Sequence, residues 1–413
     1  MRIAPTLILT AFAALAACAP ATSTSIAAAP RPATAIMDTV SIRALVGQLD
    51  LERYKATIKG LTQFGDRRQG TARNRAAIDW IETQLKSYGC TNTERITYNY
   101  QIDTTRTRSA AQRSRLPTTA PGGAKIRGNV APIGVNNDSL AQPDPRLRAL
   151  NTEQTVSGER QEVYCTKVGT THPDEMYIVG GHMDGIGWGE AANDDGSGTA
   201  LVMEIARILS APNVTTDRSI RFILWNNEES GLDGARAYVA QRQALQGKES
   251  PAGSGKYPEP RWLGMIQHDM MMFDHGMPLA DHTVRKEQRL EADVNIEFQS
   301  NSKMADESQK LAWIFANANE KFATDYPATV GRHMTNTDST PFMDIVASIS
   351  LRENERGAHI GAGWDPNWHQ PTDMYSTYSD KDFRLGLNAA QTTLAAIAQL
   401  TGAKILDKVS NRY

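Results

Sequence analysis

Between Asp38 and Phe64 apolar residues recur mostly every three or four positions, at Ile42, Leu45, Val46, Leu49, Leu51, Tyr54 and Ile58, which predicts helix. A second helical run, from about Arg73 to Tyr88, puts Ala77, Ile78, Ile81 and Leu85 on one face and stops at Gly89. The period then falls to two. From Glu94 to Tyr100 polar residues alternate with Ile96, Tyr98 and Tyr100, the pattern of a strand. Residues 101–155 are rich in Arg, Thr, Pro, Ala and Asn and show no period, so they read as an insertion. Beyond them strands and helices alternate. Strands are predicted at Glu162–Val168, Met176–Val179, Ser219–Trp225, Trp262–Gln267 and Val294–Phe298. Helices are predicted at Gly196–Leu209, Asp233–Leu245, Asp306–Phe322 and Ser379–Leu400, the last opened by a Ser379-Asp380-Lys381-Asp382 capping box. Such alternation predicts an α/β fold: a doubly wound, mostly parallel (mixed) sheet with helices on both faces.

Composition narrows this to one globular domain, at 38–403, with 404–413 as a tail. The 413 residues are 40% hydrophobic and 22% charged, which argues against wholesale disorder. Lys plus Arg number 44 against 46 for Asp plus Glu, so no basic excess points to nucleic acid or an anionic membrane surface. Met1-Arg2 followed by the apolar stretch Ile3 to Ala17 reads as an export signal (1–17), too short to span a bilayer. Leu15-Ala16-Ala17-Cys18 resembles the lipobox of bacterial lipoproteins, which implies a lipid anchor at Cys18 on the periplasmic side; the alternative is plain cleavage near an Ala-x-Ala site. Residues 18–37, rich in Ala, Pro, Thr and Ser, suit a flexible tether. Cys90 and Cys165 then remain, either as a disulfide between two strand-like stretches or as two buried thiols.

Charged clusters follow three successive strands. His182 and Asp184 come after Met176–Val179, Glu228-Glu229 after Ser219–Trp225, and Asp269 after Trp262–Gln267. Asp194 precedes a helix whose N-terminal dipole favours anions. Loops from parallel strands converge at that sheet edge. Carboxylates gathered there repel one another unless a cation neutralises them, and a His/Asp/Glu mixture suits zinc. Each piece alone is equally a turn, a strand end or a surface pair, so the inference rests on their joint placement. No G-x-S-x-G elbow is present, and Gly187-Trp188-Gly189 and the Gly361–Trp364 stretch fit no phosphate loop. Met270 to Phe273 reads as core, and His268 as a loop histidine near the surface.

Taken together, five segments carry a resemblance. They are His182-x-Asp184, Asn193-Asp194-Asp195-Gly196-Ser197-Gly198, Asn227-Glu228-Glu229-Ser230-Gly231, Asp269 and His369-Gln370-Pro371-Thr372-Asp373, supported by Asp338-Ser339-Thr340-Pro341-Phe342. This order resembles the co-catalytic di-zinc aminopeptidases of metallopeptidase family twenty-eight, whose relatives include glutamate carboxypeptidase, glutaminyl cyclases and the transferrin receptor ectodomain. The resemblance implies a zinc-exopeptidase-like peptidase domain, peptide substrates and two zinc ions per chain. His182 and Asp269 would bind one ion, Glu229 and His369 the other, and Asp194 both. Asp184 would fix the His182 tautomer through its carboxylate. Glu228 would be the general base acting on water activated by the two metals. A cis peptide between Asp194 and Asp195 is implied as well. Trp368 departs from the tyrosine that many secreted members carry and is shared with glutaminyl cyclases. Removal of N-terminal residues is therefore the expectation, with a carboxypeptidase, a glutaminyl cyclase or a non-catalytic binding module as alternatives. Oligomeric state is not legible.

Overall fold

The structure is a computed structural model that describes residues 39–90, 92–102, 135–273, 294–332, 334, 336–353 and 365–406. The export signal, Cys18, the tether and Trp364 lie outside these residues. All described residues belong to the unit Asp38–Tyr413.

The first helical stretch is two helices, α1 (Thr39–Val46) and α2 (Leu51–Thr62). The chain breaks between them because Asp50, in an extended conformation, accepts the Arg53 N–H at 2.9 Å and starts a new helix. Then come α3 (Ala72–Ser87), β1 (Glu94–Tyr100), a short α4 (Pro145–Leu150) within the insertion, β2 (Gly158–Lys167) and β3 (His172–His182). The remaining elements are α5 (Gly196–Leu209), β4 (Val214–Thr215), β5 (Arg218–Trp225), α6 (Asp233–Arg242), β6 (Arg261–His268), β7 (Val294–Glu297), α7 (Ala305–Phe322), β8 (Ala328–Gly331), β9 (Ser348–Arg352), α8 (Asp380–Thr401) and β10 (Lys404–Ile405). The expected capping box of α8 is present, with Ser379 and Asp382 bonded reciprocally. Hydrophobic patterning flagged neither β8 nor β9, since both are short and β9 alternates Ile349 and Leu351 with serines. Residues 404–405 are part of the fold and not a tail, because β10 pairs antiparallel with β4. No described helix is long and apolar enough to cross a membrane.

Sheet order is β1-β2-β5-β3-β6-β9-β7-β8. The central strands β5, β3, β6 and β9 run parallel, whereas β1, β2 and the β7–β9 contact introduce antiparallel pairing. β3 is longer than its apolar run, since its backbone pairs with β5 on one side and β6 on the other. Its side chains alternate between two layers. Ile178 enters an aromatic cluster with Trp225, Tyr238, Trp262 and Phe342, in which Tyr238 and Trp262 stack at 5.8 Å. Removing one such buried ring costs about 3–5 kcal/mol. On the other face lies α5, buried along nearly its whole length between the sheet, α2 and α8, with only Arg207 partly exposed. Glycine makes that contact possible: a Cβ on Gly181 would meet the Gly198 carbonyl carbon at 2.8 Å. Cys90, after α3, is disulfide-bonded to Cys165 on β2.

Candidate metal centre

Because β3, β5, β6 and β9 are parallel, their C-terminal ends share one edge. His182 ends β3, Glu228 and Glu229 follow β5, and Asp269 follows β6. Asp194 stands in the loop from β3 to α5, and His369 in the approach to α8. His182, Asp194 and Asp269 each offer one donor atom, and these three atoms lie within 4.8 Å of one another. Asp194, Glu229 and His369 form a second such group. The two oxygens of Asp194 divide between them. Its Oδ1 is 3.2 Å from His182 Nε2, and its Oδ2 is 3.0 Å from His369 Nε2. His369 Nε2 also lies 2.8 Å from Glu229 Oε2, and His182 Nε2 lies 3.8 Å from Asp269 Oδ1.

The backbone aims these groups with care. Asp195 follows a cis peptide and caps α5. Its carboxylate accepts N–H bonds from Gly198 (2.8 Å), His182 (3.0 Å) and Met270 (3.1 Å), tying together helix start, β3 and β6. Asp373 accepts the N–H groups of Asn193 and Asp194 at 2.8 and 3.1 Å. Arg67, fully buried, donates to the carbonyls of Met183, Glu190 and Ala191 and so braces the loop between His182 and Asp194. His369 sits at φ +58°, a region side chains seldom occupy, while the Asn136 N–H donates to its carbonyl at 3.0 Å. Trp368 stacks on its ring at 3.9 Å.

Electrostatics here are those of crowded, dry carboxylates. Burial pushes the Glu229 carboxyl up to about 7, helped by Asp194 and opposed by His369. Burial also drives Glu228 well above its ordinary range, with Asp269, Glu229 and Asp338 adding to the shift against the pull of His182. Asp194 behaves differently. Burial raises it, but the imidazoles of His182 and His369 outweigh that and hold it at about 2. Nδ1 of His369 and Oε1 of Glu229 are buried without a hydrogen bond. Hard and borderline donors left unsatisfied around two shared points fit a pair of divalent cations, zinc among them.

Two expectations need correction. The His182 ring is oriented by the backbone carbonyl of Asp184, 2.9 Å from Nδ1, and not by that residue's carboxylate, which lies 4.0 Å away. The Asp184 carboxylate instead accepts the Glu228 N–H at 3.1 Å, so it holds the backbone of the Glu228 segment. His268 is no surface residue. It is fully buried, with Nδ1 at 3.0 Å from the Gly180 carbonyl and Nε2 at 2.8 Å from Thr393 Oγ1, and burial holds it down at about 4. Residues 135–155 of the insertion line the site: Gln142 donates to the Trp188 and Pro371 carbonyls, and Asn151 to that of Gly189.

Two further residues join the site only through the fold. Asp338 is buried with Oδ1 making no hydrogen bond, and Arg352 at the end of β9 pairs with Asp269 at 2.5 Å. The Asp338 motif was visible, but only its place in space links it to the site. For Arg352 there was no signal, since β9 itself was not read.

The family model described as Peptidase family M28 matches residues 162–393, which contain all of these ligand candidates. The chain belongs to Peptidase family M28. Among family relatives, Aminopeptidase YwaD of Bacillus subtilis (strain 168) is 44% identical over 68 residues, 16% of this chain and 14% of that protein. Carboxypeptidase Q of Mus musculus is 33% identical over 124 residues, 30% of this chain and 24% of that protein. These matches thus span less than a quarter of either relative's length. BSAP, a zinc aminopeptidase from Bacillus subtilis, shares the fold with a TM-score of 0.54 at 16% identity, over 88% of this M28 chain and 99% of that one.

Proposed function

We propose that this M28 member is an exported zinc-dependent exopeptidase that removes N-terminal residues from peptides. The observation that carries the reading is the split of the Asp194 carboxylate between two donor groups. His182, Asp194 and Asp269 would hold one zinc, and Asp194, Glu229 and His369 the other. Bound zinc supplies Lewis acidity, polarising a peptide carbonyl and lowering the pKa of water to about 7. Glu228 would take the proton from the attacking water and return it to the leaving amine, as the carbonyl carbon gains oxygen and loses nitrogen. Asp184 holds the backbone of that base, and Asp195 and Asp373 hold the loop that carries Asp194. Amino- over carboxypeptidase action is supported by the likeness to Aminopeptidase YwaD of Bacillus subtilis, 44% identical over 68 residues. Export is supported by the apolar N-terminal stretch, the Leu15–Cys18 segment with its possible anchor, and the Cys90–Cys165 bridge, which persists in an oxidising compartment.

The test is a metal count followed by a substrate panel. Purified protein is expected to carry close to two zinc ions and to release residues from aminoacyl-nitroanilides until a chelator is added. Hydrolysis of N-blocked peptides in preference, or cyclisation of N-terminal Gln peptides, would move the assignment to a carboxypeptidase or a cyclase. Less than one zinc per chain would favour a binding module.

A further inference from the structure

Asp269 uses its two oxygens for different purposes. Oδ1 lies 3.8 Å from His182 Nε2, while Oδ2 lies 2.5 Å from Arg352 Nη2. Arg352 closes β9, the strand beside β6, and the Asp269 N–H donates to the Leu351 carbonyl at 3.2 Å, so backbone pairing sets the two side chains face to face. The guanidinium is 2% exposed. Its Nε lies 3.9 Å from Glu297 Oε2 on β7, the next strand over. One fork therefore spans carboxylates from two flanking strands.

Burying a guanidinium is costly, and a buried ion pair is weak evidence of stability on its own. What distinguishes this one is its geometry. An arginine fork matches both oxygens of a carboxylate, yet here it engages one and leaves the other turned to His182. A carboxylate free on both oxygens can close on a metal with both and fill the place a catalytic site must leave open.

We propose that Arg352 is a positioning residue that fixes Asp269 as a one-oxygen ligand and so keeps a coordination place open beside His182. This rests on the reading that His182, Asp194 and Asp269 hold an ion. Second contacts to metal ligands typically govern affinity by about 10- to 100-fold, which sets the size of the effect.

The experiment titrates zinc and cobalt(II) into the metal-free full chain against a competing chelator, for wild type, Arg352→Met and Arg352→Lys. In Arg352→Met one of the two zinc equivalents is expected to tighten about 10- to 100-fold, because Asp269 brings a second oxygen to the ion and a neighbouring positive charge is gone, while the other holds. The visible absorption of cobalt at the altered site should fade, the mark of a higher coordination number. With both sites saturated, kcat should fall while KM stays near wild type. Arg352→Lys keeps the buried charge and serves if the Met variant does not fold. An ammonium keeps the charge but cannot hold Asp269 and Glu297 as a fork does, so its change in affinity is expected at about tenfold. Wild-type affinities and cobalt spectrum in a folded variant would overturn the proposal, as would weakening at that site or an equal change in both equivalents. A wild-type protein that binds no zinc would instead overturn the peptidase reading, and this proposal with it.

Discussion

Asp184 shows how one residue serves two ends of the site. Its carbonyl faces the His182 ring and its carboxylate holds the Glu228 N–H, so the proposed ligand and the proposed base are set by the same turn of chain. Sequence could name Asp184 but not divide its labour, because the choice between carbonyl and carboxylate depends on backbone direction after β3. The same limit explains Arg352 and Asp338, whose partners come from other strands. The Asn-Asp-Asp and Glu-Glu motifs were legible, since each lies beyond a strand of one parallel set whose C-terminal ends share an edge. If Glu228 is the base, Glu228→Gln should keep its zinc and lose about 10²- to 10⁴-fold in turnover on an aminoacyl-nitroanilide. Turnover within a few-fold of wild type would remove Glu228 from the mechanism.

At the scale of elements, amphipathic helices and the apolar central strands were readable from periodicity alone. Failures came where tertiary pairing outweighs pattern. β9 is short and rich in serine, yet neighbours on both sides make it a strand. Conversely, helical spacing runs unbroken through Leu49 and Leu51, where the Asp50 cap divides α1 from α2. The open question of the two cysteines resolves as a bridge between residues 75 apart in sequence. Closing a loop of that length restricts the unfolded chain by about 4 kcal/mol on the entropic account. Replacing both cysteines with alanine should lower unfolding free energy by up to that amount in a denaturant titration under oxidising conditions. No change in the midpoint would show that the unfolded chain gains nothing from release.

For the whole molecule, the site is the place where distant stretches meet, and the folded state alone assembles it. Anything that binds there and not to the unfolded chain must stabilise the fold. Zinc at about 100 times its dissociation constant contributes about 2.7 kcal/mol per site. Thermal melts with and without a chelator should therefore separate, with the metal-loaded protein unfolding at the higher temperature. Coincident melts would mean that the donor groups hold no ion under those conditions. Fold class was legible at this scale because alternation of strands and helices survives local errors. The brace that the insertion gives to the His369 loop was not, because residues 101–155 carry no period to read.

The Cys90–Cys165 bridge has a consequence for wear. β1 and β2 pair along their length, and the bridge lies just outside that ladder, so everything from 101 to 157 is a connection whose two ends are already joined without it. A single cut by a neighbouring protease anywhere in 103–134 leaves no loose fragment: the two pieces stay linked by sulfur and by the ladder. On a gel, such a nicked protein would run as one band until a reductant parts it in two. Peptidases share their surroundings with other peptidases, and a chain fastened in this way can be cut and remain one molecule.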